Sequence, residues 1–136
     1  MENSHQSSAL LGEVLLVEDD AALNAVLSMQ LKARGFKYRS AHTGTEALQM
    51  LEDRKPDLLI LDVRLPELNG FEIVQILRQK EGFSSMRTMI HTAADLDDNE
   101  RAMLTLGHTV FVTKTKACDD ICAIARELLS DKNQPT

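Results

Sequence analysis

Asp62 follows the apolar run Leu58-Leu59-Ile60-Leu61, and Glu18-Asp19-Asp20 follows Val14-Leu15-Leu16-Val17. Four strand-forming apolar residues ending in an acid predict a buried parallel strand that delivers a carboxylate at its carboxyl end. In open α/β sheets, ligands and chemistry gather there. Two neighbouring strands that do this at one edge would make a hard-cation site with a nucleophile inside it. Clustered carboxylates repel by roughly 4 kcal/mol per pair at ~4 Å and an effective dielectric of ~20, so they stay ionised together only around a cation. All-oxygen ligands with room for water suit Mg²⁺, with Mn²⁺ able to take its place. An aspartate beside such a cation can act as a nucleophile toward a phosphoryl group. The transferring group needs its equatorial oxygens neutralised, and Lys114, the Thr92 hydroxyl and exposed loop N–H groups suit that role.

The elements that must position these groups alternate five times between strand-like and helix-like segments, the signature of a parallel sheet with helices on both faces. The strands are expected near Glu13–Val17, Lys37–Ala41, Asp57–Leu61, Thr88–His91 and Val110–Val112. The second is the most polar and is expected at an edge. The first helix, near Asp20 to Arg34, should bury Leu23, Val26, Leu27 and Leu31, with Asp20 as its cap rather than a site residue. The second opens on a capping box of Thr43 with Glu46 and buries Ala47, Leu48 and Leu51. The third, about Asn69 to Lys80, turns Phe71, Val74 and Leu77 inward, with Gly70 serving tight packing or an unusual turn. The fourth starts among Asp95, Asp97 and Asp98 and ends by Gly107. The fifth, Cys118 to Leu129, carries Ile121, Ile124, Ala125 and Leu128 at helical spacing. In this arrangement the loops holding Glu18-Asp19-Asp20, Asp62-Val63-Arg64, Thr92-Ala93-Ala94 and Lys114-Thr115 meet at one edge. His91 is expected as a satisfied core histidine.

A chain of 136 residues, 43% hydrophobic and 26% charged, is expected to form one soluble domain. We place it at 13–130, between a tail at 1–12 and another at 131–136. The formal net charge of −6 argues against direct nucleic-acid binding, which needs clustered Lys and Arg. No apolar stretch approaches the ~20 residues that span a bilayer, and no signal-peptide core is present, so no membrane partner is expected. Cys118 and Cys122 share one helical face and read as reduced packing thiols, which points to the cytoplasm.

With these motifs in place, the chain resembles the receiver domain of bacterial two-component and phosphorelay response regulators from about Glu13 to Leu129. The likeness is carried by Glu18-Asp19, by Leu61-Asp62-Val63-Arg64-Leu65-Pro66, by Asn69-Gly70, by Thr92-Ala93 and by Lys114, with matching intervals between them. The resemblance implies a flavodoxin-like (βα)₅ three-layer sandwich with five parallel strands in the order 2-1-3-4-5. It implies that Asp62 accepts a phosphoryl group from a histidine kinase or a histidine phosphotransfer protein. Asp19 and Asp62 would ligate Mg²⁺, with Glu18 and the Arg64 backbone carbonyl assisting. Lys114, Thr92 and the backbone N–H groups of Arg64 and Ala93 would hold the phosphoryl oxygens. Thr92 and Phe111 would form the switch that repacks the face of helix four, strand five and helix five for a downstream effector protein; a homodimer is compatible with this. No separate catalytic domain is expected, since too few residues follow Leu129.

Two departures from the family pattern stand out. Thr115 follows Lys114 where the family usually has a proline in a cis peptide. A cis bond before a non-proline costs about 2.5–4 kcal/mol, so a trans, rearranged loop or a strained one is expected. Arg64 and Ala94 occupy places that influence water's access to the phosphoaspartate in this family, and Arg64 is expected to affect dephosphorylation. Lys114-Thr115-Lys116 is similar to receivers attached to hybrid sensor kinases, so a piece of a larger regulator is the alternative to a stand-alone protein. Other readings are a receiver that signals without phosphorylation, an aspartyl-nucleophile phosphatase and a flavodoxin-like cofactor binder. The phosphatase class usually has an acid where Arg64 stands. The cofactor binder needs a phosphate cradle that Glu18-Asp19-Asp20 would repel.

Overall fold

The computed structural model describes residues 12–93 and 95–132. Five strands, β1 (Glu13–Val17), β2 (Lys37–Ala41), β3 (Leu58–Leu61), β4 (Arg87–Thr92) and β5 (His108–Thr113), alternate with five helices. The helices are α1 (Ala21–Ala33), α2 (Gly44–Asp53), α3 (Gly70–Arg78), α4 (Asp98–Leu104) and α5 (Cys118–Lys132). All pairings are parallel and the order is β2-β1-β3-β4-β5, the flavodoxin-like arrangement expected. The polar β2 lies at an edge. The predicted tail residues Met1 to Leu11 and Asn133 to Thr136, and Ala94, fall outside the described residues; α5 continues past Leu129 to Lys132.

Side chains alternate across the sheet as strand geometry requires. Leu15, Val17, Leu59, Leu61 and Ile90 pack with Ala47 and Leu51 of α2, Ile73, Val74 and Leu77 of α3 and Leu104 of α4. On the other face Val14, Leu16, Leu58, Ile60 and Met89 meet Leu27 and Leu31 of α1 and Ile121, Ala125 and Leu128 of α5. β3 is buried along its whole length, which is why it reads as an unbroken apolar run.

Local chemistry fixes where the helices begin. Asp20 caps α1 by accepting the Leu23 N–H at 3.0 Å. Gly35 and Phe36 close that helix in a Schellman motif, donating to the Lys32 and Leu31 carbonyls. Thr43 caps α2, but the expected reciprocal bond is displaced: the Glu46 carboxylate takes the His42 N–H at 2.7 Å. Complete capping boxes occur instead at Asn69 with Glu72 and at Asp97 with Glu100.

Two inward assignments need correction. Val26 is 45% exposed, and Asn24 and Ser28 occupy the buried stripe of α1 with Leu27 and Leu31. Phe71 is half-buried while Ile73 takes the core position. Positions 24, 27, 28 and 31 recur at helical spacing, so the stripe follows geometry rather than hydropathy.

Two glycines let chain segments touch near the acidic edge. A Cβ on Gly44 would overlap the Leu68 carbonyl oxygen, and one on Gly70 would stand 2.8 Å from Val63 Cα and 2.9 Å from the Asp62 carbonyl oxygen. Gly70 thus serves the close packing expected of it. Between them the β3–α3 loop makes a γ-turn at Glu67 (φ 70°), with Leu68 N–H donating to the Pro66 carbonyl at 2.8 Å.

His91 is buried on the sheet as expected, but neither ring nitrogen has a hydrogen-bond partner among the described residues. Burial, and then the Lys114 ammonium, lower its pKa from 6.5 to about 4. The unfolded chain therefore takes up this proton below pH 6.5 while the folded chain resists until about pH 4. Stability should fall as pH drops through that window, by about 3 kcal/mol in total. Urea unfolding from pH 7 to pH 4 should show this loss in wild type and a flatter profile in His91→Leu; equal slopes would refute the assignment.

Candidate functional site

The site is assembled where the sheet ladder runs out. Glu18 N–H donates to the Ala41 carbonyl at 3.0 Å, Asp62 N–H to Val17 at 3.1 Å and Lys114 N–H to Thr92 at 3.1 Å. Glu18, Asp62 and Lys114 are thus each the first residue past a strand, still held by the neighbouring strand. Because β1 separates β2 from β3, the chain reverses its direction of winding here, and a crevice opens between β1 and β3.

Glu18, Asp19 and Asp62 bring one carboxylate oxygen each to within 4.8 Å of one another. Glu18 and Asp62 are buried and Asp19 is exposed. Lys114 reaches between the buried pair. Its Nζ lies 2.9 Å from Asp62 Oδ2, 2.9 Å from Glu18 Oε1 and 3.0 Å from Glu18 Oε2. Glu18 Oε2 also accepts the Asp20 N–H at 3.0 Å, and Asp62 Oδ1 accepts the Arg64 N–H at 3.2 Å. Glu18 Oε1 touches the ammonium as an ion pair but accepts no well-directed hydrogen bond, which leaves it a lone pair for a cation.

The electrostatics follow from burial. Desolvation raises the Glu18 and Asp62 carboxyls above their ordinary range, and the Lys114 ammonium only partly opposes it. Desolvation alone would lower Lys114, but its bonds to Asp62 and Glu18 outweigh this and raise it. Three carboxylates thus face one ammonium, and a donor set of this kind fits a small divalent cation.

Thr92 ends β4 and is buried, and Ala93 beyond it is exposed. Phe111 is half-buried on β5 and, with Thr92, lines a cavity of about 130 Å³. The Arg101 guanidinium of α4 stacks over the Phe111 ring at 4.8 Å, a contact the sequence reading did not anticipate. Arg64 is exposed and lines a separate groove with Asp19, Leu65 and Phe71. Every peptide bond among the described residues is trans, including Lys114–Thr115 in the loop after β5. That loop turns tightly, with Lys116 N–H donating to the Thr113 carbonyl at 3.2 Å and the Thr113 and Thr115 hydroxyls 2.7 Å apart.

The model of the response regulator receiver domain matches residues 14–126. The chain belongs to this family. Among curated proteins, this receiver domain is similar to the transcriptional regulatory protein TrcR of Mycobacterium tuberculosis, at 32% identity across 92% of this chain and 48% of that protein. It spans about half the length of the curated relatives it matches. Among solved structures it resembles the signal receiver domain of a histidine kinase from Syntrophus aciditrophicus, with a TM-score of 0.78, 26% identity and coverage of 92% and 95% of the two chains. A second neighbour is the receiver domain of the sensor histidine kinase PA1611 from Pseudomonas aeruginosa, determined with a magnesium ion coordinated in its active-site cleft. There the TM-score is 0.76 and identity 24%, over 88% of this chain and 98% of that one. The magnesium belongs to that protein; the likeness to this receiver is one of fold.

Lys114 is the only cation within bonding distance of Glu18 and Asp62 among the described residues. Removing it strands two buried charges. Lys114→Met should therefore lose roughly 2 kcal/mol of stability without divalent ions, less than the ~3–5 kcal/mol of a fully buried pair because Lys114 retains some exposure. Adding Asp62→Asn should restore much of the loss. Urea midpoints of the single and double variants check this, and an unaffected single variant would refute it.

Proposed function

We propose that the chain is a phosphoacceptor receiver unit, spanning residues 13–130, in which Asp62 takes a phosphoryl group from a histidine kinase or histidine phosphotransfer protein. The observation that carries this reading is the Lys114 ammonium within 3.0 Å of both Glu18 and Asp62 at the edge that also holds Asp19. Glu18, Asp19, Asp62 and the Arg64 backbone carbonyl would hold Mg²⁺, or Mn²⁺ in its place. That ion, when bound, screens the nucleophile from the incoming phosphoryl group and neutralises charge on its oxygens. The magnesium in the Pseudomonas receiver supports the same assignment on a shared fold.

An Asp62 carboxylate oxygen bonds to phosphorus as the donor's P–N bond breaks, and the electron pair leaves with the imidazole. Lys114 then exchanges its bond to the Asp62 carboxylate for one to a phosphoryl oxygen. Thr92 and the N–H groups of Arg64 and Ala93 complete the cradle. As the Thr92 hydroxyl turns toward the phosphoryl group, Phe111 moves into the space it vacates, and the Arg101 stack must rearrange. The surface of α4, β5 and α5 changes shape, which is the signal an effector protein reads. Direct contact with nucleic acid is not part of this mechanism. No helix among the described residues is long and apolar enough to cross a membrane; the receiver family is what supports placing the protein in the cytoplasm.

Incubation with acetyl phosphate and Mg²⁺ should add one phosphoryl group to wild type and none to Asp62→Asn, read by intact mass. Labelling should vanish with a chelator. Equal labelling of both proteins, or steady turnover of a small phosphomonoester in place of stoichiometric labelling, would refute the assignment.

Arg64 lines the groove beside Asp19, and we propose that its side chain limits water's approach to the phosphorylated Asp62. Arg64→Ala should therefore shorten the phosphoaspartate lifetime by several-fold. Equal lifetimes in a mass-decay assay would remove Arg64 from this role.

A further inference from the structure

We infer that Asn24, held in turn by Ser28, is a positioning residue for the acidic pair. Asn24 is 3% exposed and Ser28 9% exposed, so both polar side chains lie inside the α1 packing face. The Asn24 Nδ2 donates to the Glu18 carbonyl at 3.0 Å and to the Ala41 carbonyl at 3.4 Å. The Ser28 hydroxyl donates to Asn24 Oδ1 at 3.2 Å, and the two carbonyl acceptors on Nδ2 fix the amide's orientation, since a flipped side chain would set oxygen against oxygen. Ala41 also accepts the Glu18 N–H at 3.0 Å. Both backbone polar groups of Glu18 are therefore tied down, one by β2 and one by Asn24.

This matters because of what holds each acid. The Glu18 carboxylate has Lys114 and the Asp20 N–H to orient it. No hydrogen bond among the described residues holds the Asp19 carboxylate, so its placement comes from the backbone alone. The Glu18 carbonyl belongs to the same rigid peptide plane as the Asp19 N–H. Fixing that carbonyl sets the turn that aims Asp19 at Asp62. A buried amide with two acceptors and its own donor is a costly device to place in a helix face where a leucine would pack. Here it acts through Asp19 on the cation site, as outer partners of a metal site orient its ligands.

The inference rests on the cation role proposed above, so the test is built to separate the two. Mg²⁺ is titrated by calorimetry into unphosphorylated wild type, Asn24→Leu and Ser28→Ala. The rate of acetyl phosphate labelling is then measured against Mg²⁺ concentration. Asn24→Leu should weaken Mg²⁺ binding by about tenfold. Its half-saturating Mg²⁺ for labelling should rise in step, while the limiting rate stays within about twofold. Ser28→Ala keeps the amide and should show a smaller loss of about threefold in the same direction, and it serves as the test if Asn24→Leu does not fold. Unchanged Mg²⁺ affinity in a folded variant, whatever its stability, overturns the inference alone. A wild type that binds no Mg²⁺ and takes no label removes the proposed function, and the inference with it.

Discussion

Two buried carboxylates share one ammonium at the end of a parallel sheet, and much of the molecule exists to keep that arrangement in place. Burial raises the carboxyls of both Glu18 and Asp62 above their ordinary range, and the Lys114 ammonium opposes that shift only in part. The ammonium satisfies neither acid fully, and Asp19 adds a further negative charge in reach. The resting site is thus poised rather than settled. It holds more negative charge than its own cation can balance, and it does so where the strands end and the chain can still move.

Rigidity behind that edge comes from the ladder. The first residue beyond β1, β3 and β5 remains hydrogen-bonded to the neighbouring strand, so Glu18, Asp62 and Lys114 inherit the precision of the sheet while their side chains project from it. Loops alone would give less control over distances of about 3 Å. The two faces of the sheet then divide the labour. The α1 and α5 side carries buried polar groups, Asn24, Ser28 and His91, whereas the α2, α3 and α4 side is packed more uniformly with aliphatic residues.

Much of this was legible in the residues. Apolar runs ending in acid located β1 and β3 and their acidic edge, because a fully buried strand leaves an unmistakable pattern. The polar β2 declared itself an edge. Helix faces were less legible. Hydropathy put Val26 of α1 inside and overlooked Asn24 and Ser28, since an amphipathic pattern cannot distinguish a buried amide with partners from a solvated one. The same blindness hid the unpartnered ring of His91. At Glu46 the box motif was present, but the carboxylate reached one residue further back, a choice made by local geometry that spacing does not encode. The stack of Arg101 on Phe111 joins residues ten apart through the packing of α4 over β5, so only the fold could reveal it.

The contact at Gly44 has a consequence for how motion spreads. With no side chain there, the start of α2 rests directly against the Leu68 carbonyl, and Gly70 seats α3 against the chain immediately after Asp62. Any displacement of the segment following Asp62 is therefore transmitted by hard backbone contact, with no compressible side chain to absorb it. The chain has, in effect, traded a cushion for a lever on that flank.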